Sequence, residues 1–161
     1  PNTPGLRALQ DKDSLSYILN SLQDINAKQG NRKPILLKIA PDLTNEQLDD
    51  VISVVQQSQT DGIVATNTTI ARNGLSYSSD YISLMGAGGL SGAPLTTSAT
   101  EVIKYLKQHS AIPVIGVGGI MNANDAIDKF KAGADLIQLY SGFIYAGPAL
   151  ISDIKQLLIK Q

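Results

Sequence analysis

Cysteine is absent from the 161 residues, which excludes disulfides, thiolate metal sites and a cysteine nucleophile within this stretch. Histidine occurs once, at His109, on a polar stretch near a predicted helix end, where solvation or the helix dipole accounts for it. No His/Asp/Glu cluster has metal-ligand spacing, and neither a Ser-His-Asp set nor a P-loop is present. Neither sign of charge dominates: 13 Lys+Arg stand against 14 Asp+Glu, so the clustered basic footprint of a nucleic-acid binder is missing. No apolar run reaches the roughly 18 residues that a membrane span needs. The N-terminus lacks the basic-then-apolar pattern of a secretory signal. It also lacks a starting Met and opens on Pro1-Asn2-Thr3-Pro4-Gly5, which reads as the middle of a loop in a longer protein.

What is present is an alternation of two patterns. Five stretches carry apolar residues at helical spacing: Leu15 to Ile25, Leu48 to Val55, Ala99 to Leu106, Ala123 to Phe130 and Leu150 to Leu158. Thr44-x-x-Gln47 before the second fits a capping box, and Gly133 after the fourth suits a helix C-terminus. Between the helices lie four short β-rich runs, Ile35–Ala40, Gly62–Thr66, Pro113–Val117 and Leu136–Tyr140. They are continuous rather than alternating, which predicts strands buried on both faces of a parallel sheet. Each strand–helix unit takes about 40 residues, a length at home in a (β/α) barrel. There is no low-complexity segment or domain linker. The long irregular stretch Asn67–Pro94, rich in Gly, Ser and Asn, reads as a functional loop with a short hairpin around Asn73-Gly74.

Each predicted strand ends in polar or glycine residues: Lys38 to Asp42, Thr66 to Thr69, Gly116 to Gly119, and Tyr140-Ser141-Gly142. Ligands of α/β sheets bind outside the carboxyl ends of the strands, so these four ends are the candidate site. Lys38 reads either as a gatekeeper on an edge strand or as an inward lysine aimed at an anionic or electron-rich ligand. Asn67-Thr68-Thr69 has the spacing of a glycosylation acceptor, and its residues either cap a turn locally or offer donors and an acceptor to a planar ring with amide edges. Gly116-Val117-Gly118-Gly119 fails as a dinucleotide fingerprint, because Met121 stands where the third glycine belongs. With Tyr140-Ser141-Gly142 one unit later, it reads as a phosphate site after the last two strands of a barrel, or as glycines needed for helix packing. Asp49-Asp50 reads as solvated surface.

On these residues the chain resembles the dihydroorotate dehydrogenase family, in its class 2, quinone-dependent branch. The matching segments are Pro1 to Arg7, Lys38 to Leu43, Ala65 to Thr69, Gly88 to Gly92, Ile115 to Ile120 and Tyr140 to Phe143, in family order over the whole chain. The resemblance implies an α/β fold, a (β/α)8 TIM barrel of which residues 1–161 hold the last four βα units as part of a single domain. It implies an enzyme that oxidises dihydroorotate to orotate in pyrimidine biosynthesis, with FMN as cofactor and quinone as electron acceptor. It implies substrate contacts from Asn2, Asn67 and Thr68, with Asn2 on a mobile loop that closes over the substrate. FMN would be held by Lys38 and Thr66 at the isoalloxazine and by Gly92, Gly119, Tyr140 and Ser141 at the phosphate end. The family's Ser base stands immediately before the segment that opens here at Pro1, so no catalytic base is expected within these residues. They are expected to be inactive alone and to partner the barrel's other half. A class 2 enzyme would be peripheral on the cytoplasmic side of the membrane. Two alternatives stand beside this reading: a non-catalytic half-barrel that at best binds flavin phosphate, and a class 1 relative with another acceptor.

Overall fold

A computed structural model describes residues 5–160, with the side chain of Arg7 left aside. Asn2, expected to contact substrate, lies outside the described residues. After a short 3-10 segment at Leu6–Gln10 come α1 (Lys12–Ala27), β1 (Leu36–Ile39), α2 (Asn45–Gln57), β2 (Gly62–Ala65) and α3 (Ser79–Leu84). A second 3-10 turn at Ala93–Leu95 leads into α4 (Thr96–His109), β3 (Val114–Val117), α5 (Ala123–Lys131), β4 (Leu136–Gln138), α6 (Ser141–Ala146) and α7 (Ala149–Ile159). The strands form one sheet in the order β1-β2-β3-β4, every neighbouring pair parallel. Parallel neighbours need long crossovers, and the amphipathic helices supply them.

Local chemistry explains most boundaries. Thr44 and Gln47 make the expected reciprocal capping box before α2, and Asn122 and Asp125 make a second before α5. After α5, Gly133 takes a left-handed φ of 106° and donates its N–H to the Phe130 carbonyl, ending the helix. The strands are shorter than their apolar runs. Pro113 has no N–H for the ladder, and Tyr140 leaves extended backbone as the residue before α6. The long loop contains α3, capped by Ser78, in place of a hairpin at Asn73-Gly74, which forms only a turn. Its neck is closed by an antiparallel bridge in which Thr69 and Leu90 exchange both backbone hydrogen bonds, at 3.1 and 2.8 Å, and the Arg72 guanidinium donates to the Gly88 carbonyl.

The helices cover one face of the sheet. Ile39, Ile63, Ala65 and Val114 are fully buried there against Leu15, Leu48, Val51, Val55, Ile103 and Leu106. A second cluster joins Ile120, Ala126, Leu150 and Ile154 to the partly buried Ile137. The register pairs Lys38 with Val64, Val64 with Ile115 and Ile115 with Leu136, so these residues share the opposite face. That face corrects the expectation of strands buried on both sides. β2 and β3 are largely buried, but Leu36, Lys38, Leu136 and Gln138 on the two outer strands are exposed. No helix of the described residues covers this side, as suits the inner wall of a barrel, and an apolar run cannot report which of its faces meets a helix. Leu22 and Ile25 on α1 and Phe130 on α5 are likewise less buried than their spacing predicts, while Lys129 is fully buried.

Both ends of the sheet are tied. At the end where the strands begin, the residue before one strand grips the start of its neighbour. Asp61, just before β2, accepts the Ile35 N–H at 2.7 Å and a two-pronged bond from Arg32. Asp135, just before β4, accepts the Val114 N–H at 2.8 Å and a bond from Lys107. In both, the backbone N–H is the main cause that lowers the carboxyl pKa below its ordinary 3.8, with the cation adding to it. A depressed folded-state pKa stabilises the fold above 3.8, and this stability is lost as pH falls through the lowered value. Asp61→Ala is expected to cost about 1–2 kcal/mol at neutral pH. Asp135→Ala should cost less, because its side chain is 51% exposed against 26% for Asp61. Urea unfolding of the intact protein at neutral pH and below pH 3.8 checks both, and the double variant should lose less stability on acidification than the parent.

Candidate functional site

The four strands point their carboxyl ends to one side of the sheet, and a cavity of about 260 Å³ opens there. Lys38 is the next-to-last residue of β1, while Thr66, Asn67 and Thr68 follow β2. Gly92 lies before α4, Gly118 and Gly119 follow β3, and Tyr140 and Ser141 follow β4. Every residue expected to contact substrate or FMN, among the described ones, therefore lines this cavity, whereas Asp42, Thr69 and Gly116 of the same strand ends do not. Its lining carries one ammonium, Lys38, and no carboxylate among the described residues.

The β2 end is built by pairing that runs on past the strand. The Thr66 N–H donates to the Val117 carbonyl and the Asn67 N–H to the Ile39 carbonyl, both at 2.7 Å. The Ala65–Thr66 peptide is cis. Thr66 is buried, and its hydroxyl donates to the Asn67 carbonyl at 3.0 Å. The Asn67 side-chain oxygen accepts the Thr68 N–H at 2.9 Å. The local-cap reading of these residues thus holds alongside their place in the cavity wall. Thr69 is buried with its hydroxyl on Asp42, which ties the β2 loop to the β1 loop.

The opposite wall depends on two close approaches. Gly119 has φ 71°, and a Cβ there would stand 2.2 Å from the Thr96 backbone nitrogen. The Thr96 hydroxyl donates to the Gly119 carbonyl at 2.7 Å, fixing the loop onto the first turn of α4. A Cβ on Gly142 would stand 2.0 Å from the Ile120 carbonyl oxygen, so only glycine lets α6 sit on the β3 loop. The Ser141 hydroxyl reaches the Ser91 hydroxyl at 2.9 Å and joins the β4 end to the long loop. The glycines of this wall therefore serve packing and line the cavity at once.

Sequence reasoning missed Gln138, Leu95 and Met121 in the lining. Gln138 is paired with Val117 and shares the exposed face, and a polar residue within an apolar strand was its one signal. His109 behaves as expected at the end of α4: it stacks on Tyr105 and its Nδ1 lies 2.8 Å from the Tyr105 carbonyl. Asp49 and Asp50 are surface residues with partners, accepting from the Tyr105 hydroxyl and the Lys12 ammonium.

The family model described as dihydroorotate dehydrogenase matches residues 1–161. The chain belongs to the dihydroorotate dehydrogenase family. A relative in Christiangramia forsetii named dihydroorotate dehydrogenase (quinone) is 57% identical, matching 100% of this chain and 47% of its own length. One of the same name in Shewanella sediminis is 50% identical over 96% of this chain and 46% of its own length. Among solved structures, the ligand-free dihydroorotate dehydrogenase of Eimeria tenella superposes with a TM-score of 0.89 at 34% identity, covering 99% of this chain and 48% of that one. The ferulenol complex of the same organism's enzyme gives a TM-score of 0.88 at 32% identity, covering 99% of this chain and 47% of that one. The chain thus spans about half the length of the curated relatives it matches, and its four-stranded parallel sheet is half of the dihydroorotate dehydrogenase barrel.

Gly119→Ala tests the cavity wall. The added methyl meets the backbone of Thr96 at a left-handed φ, so the β3 loop has to leave α4. The expected cost is about 2–3 kcal/mol in the intact protein, read as a drop in unfolding free energy. Gly74→Ala has left-handed φ but open space around it, and should cost only about 1 kcal/mol.

Proposed function

We propose that the whole protein oxidises dihydroorotate to orotate in pyrimidine biosynthesis, with FMN as its bound cofactor and a quinone as electron acceptor. The observation that carries this reading is one cavity in which an ammonium, an Asn-Thr pair and two glycine-bearing loops meet with no carboxylate among the described lining residues. Such a lining suits a ligand with a polar planar ring at one end and an anionic group at the other. In this reading residues 1–161 are the C-terminal half of a single FMN-binding (β/α)8 barrel domain, and the other half of the barrel is their partner.

FMN, when bound, would supply hydride acceptance. Lys38 contributes a positive charge to the wall of the cavity, and this favours negative charge gathering near it. Thr66 shapes the same end with a hydroxyl already committed to the backbone, so it lends packing and a fixed dipole. Asn67 and Thr68 hold the substrate, Asn67 with its side-chain oxygen oriented by the Thr68 N–H. Gly92, Gly119, Tyr140 and Ser141 receive the phosphate end, through backbone N–H groups and the Ser141 hydroxyl. Asn2 would add a substrate contact, and the proton-abstracting Ser would stand immediately before Pro1.

A quinone acceptor is favoured over the acceptors of class 1 relatives by the names that similar proteins carry. A lipophilic quinone fits a peripheral protein working on the cytoplasmic side of a membrane. No helix of the described residues is long and apolar enough to cross one.

Lys38→Ala in the intact protein is expected to slow flavin reduction by dihydroorotate about 100-fold, the scale of losing one preorganised charge. FMN should stay bound, because the phosphate-end residues are untouched. Stopped-flow absorbance of the flavin reads the rate, and reduction at the wild-type rate would remove Lys38 from this role.

A further inference from the structure

Lys129 is the largest fully buried side chain among the described residues, at 0% exposure. It sits on α5, and its Nζ donates to the Thr96 carbonyl at 2.7 Å and to the Thr100 hydroxyl oxygen at 2.5 Å. Thr100 in turn donates to the same Thr96 carbonyl at 2.7 Å. All its hydrogen-bond partners are neutral, and no carboxylate of the described residues is in ion-pair contact with it. Burial pushes its pKa down to about 8, against the more distant pull of Asp125 and Asp128. A buried ammonium held only by neutral oxygens is costly, and a well-packed apolar side chain in its place is often neutral or stabilising.

Its position suggests what the charge serves. Thr96 joins Lys129 to the cavity: its carbonyl takes the ammonium, its hydroxyl holds the Gly119 carbonyl, and its backbone nitrogen lies 2.2 Å from where a Cβ of Gly119 would be. Lys129 therefore stands one residue behind the glycine loop, on the far side from the ligand space. Its Cβ is also 3.4 Å from where a Cβ of Gly116 would be, which seats it under β3 as well.

We propose that Lys129 is a positioning residue for the anionic end of the ligand: it holds the first turn of α4 under Gly118-Gly119 and places a buried positive charge behind that loop. The proposal rests on the reading of this end of the cavity as a phosphate site. A phosphate there offsets the ammonium across Thr96, and the ammonium in return fixes the loop whose backbone receives the phosphate.

The test compares FMN with riboflavin, which has the same ring and lacks the phosphate, by fluorescence titration of the flavin-free intact protein. The wild type is expected to prefer FMN. Lys129→Met leaves the Thr96 carbonyl and the Thr100 hydroxyl bonded to each other, and it should keep or raise the unfolding temperature. It should cut the preference for FMN about tenfold or more, the scale of a lost charge-assisted contact, with riboflavin affinity unchanged. Lys129→Gln removes the charge but keeps an N–H donor for the Thr96 carbonyl and the Thr100 hydroxyl, and it should lower the same ratio, which decides the matter if Lys129→Met does not fold. An unchanged FMN-to-riboflavin ratio in a folded Lys129→Met protein, or in Lys129→Gln where only that folds, overturns the proposal. Equal weakening of both flavins does so too. A wild type without preference for FMN instead overturns the phosphate reading itself, and this inference falls with it.

Discussion

Everything in this half-barrel follows from strands that all run the same way. A parallel neighbour cannot be reached by a tight turn, so the chain must leave the sheet, cross its face and return. The return journey is made by helices, and their apolar stripes bury one face of the sheet. The same constraint delivers every strand's carboxyl end to one edge. Residues as distant in the chain as Lys38 and Ser141 thereby become walls of one cavity. The opposite edge is left for stability, and there Asp61 and Asp135 repeat a single device two units apart.

The cavity is made as much by backbone contact as by side chains. Gly119 against Thr96 brings the β3 loop onto α4, and Gly142 against Ile120 brings α6 onto that same loop, at distances that no other residue permits. The polar ties between loops are single hydrogen bonds: Ser141 to Ser91, Thr69 to Asp42, Thr96 to Gly119. Each joins a different pair of segments, so every strand-end loop is tied to another part of the wall. Family membership agrees with this layout, since the match runs the whole length of the chain.

Helical spacing and apolar runs were enough to locate five helices and four strands, because each of those elements has a core-facing side made of Leu, Ile, Val or Ala. The strand-end residues were legible for the same reason: once the sheet is parallel, its polar termini share an edge. Other features were not. The exposed face at Leu36 and Leu136 was hidden, because a barrel's inner wall and a helix-covered face are written in the same residues. The helix at Ser79–Leu84 was hidden by its length and its polar surroundings. Lys129 was hidden because lysine on an amphipathic helix normally marks the solvent side. Only the positions of Thr96 and Thr100 on another helix make its burial intelligible.

The loop between β2 and α4 leaves through a neck. Thr69 and Leu90 bond to each other on both sides, and Arg72 draws in Gly88, so the chain is pinched shut before it reaches Ser91 and Gly92. Beyond that pinch the excursion, α3 included, contributes no residue to the cavity lining. It is an appendage on a closed stem, and a nick or a spliced-in peptide between residues 73 and 87 leaves the two cut ends tethered. The cavity edge of the sheet can therefore carry a segment of variable length without registering how long it is.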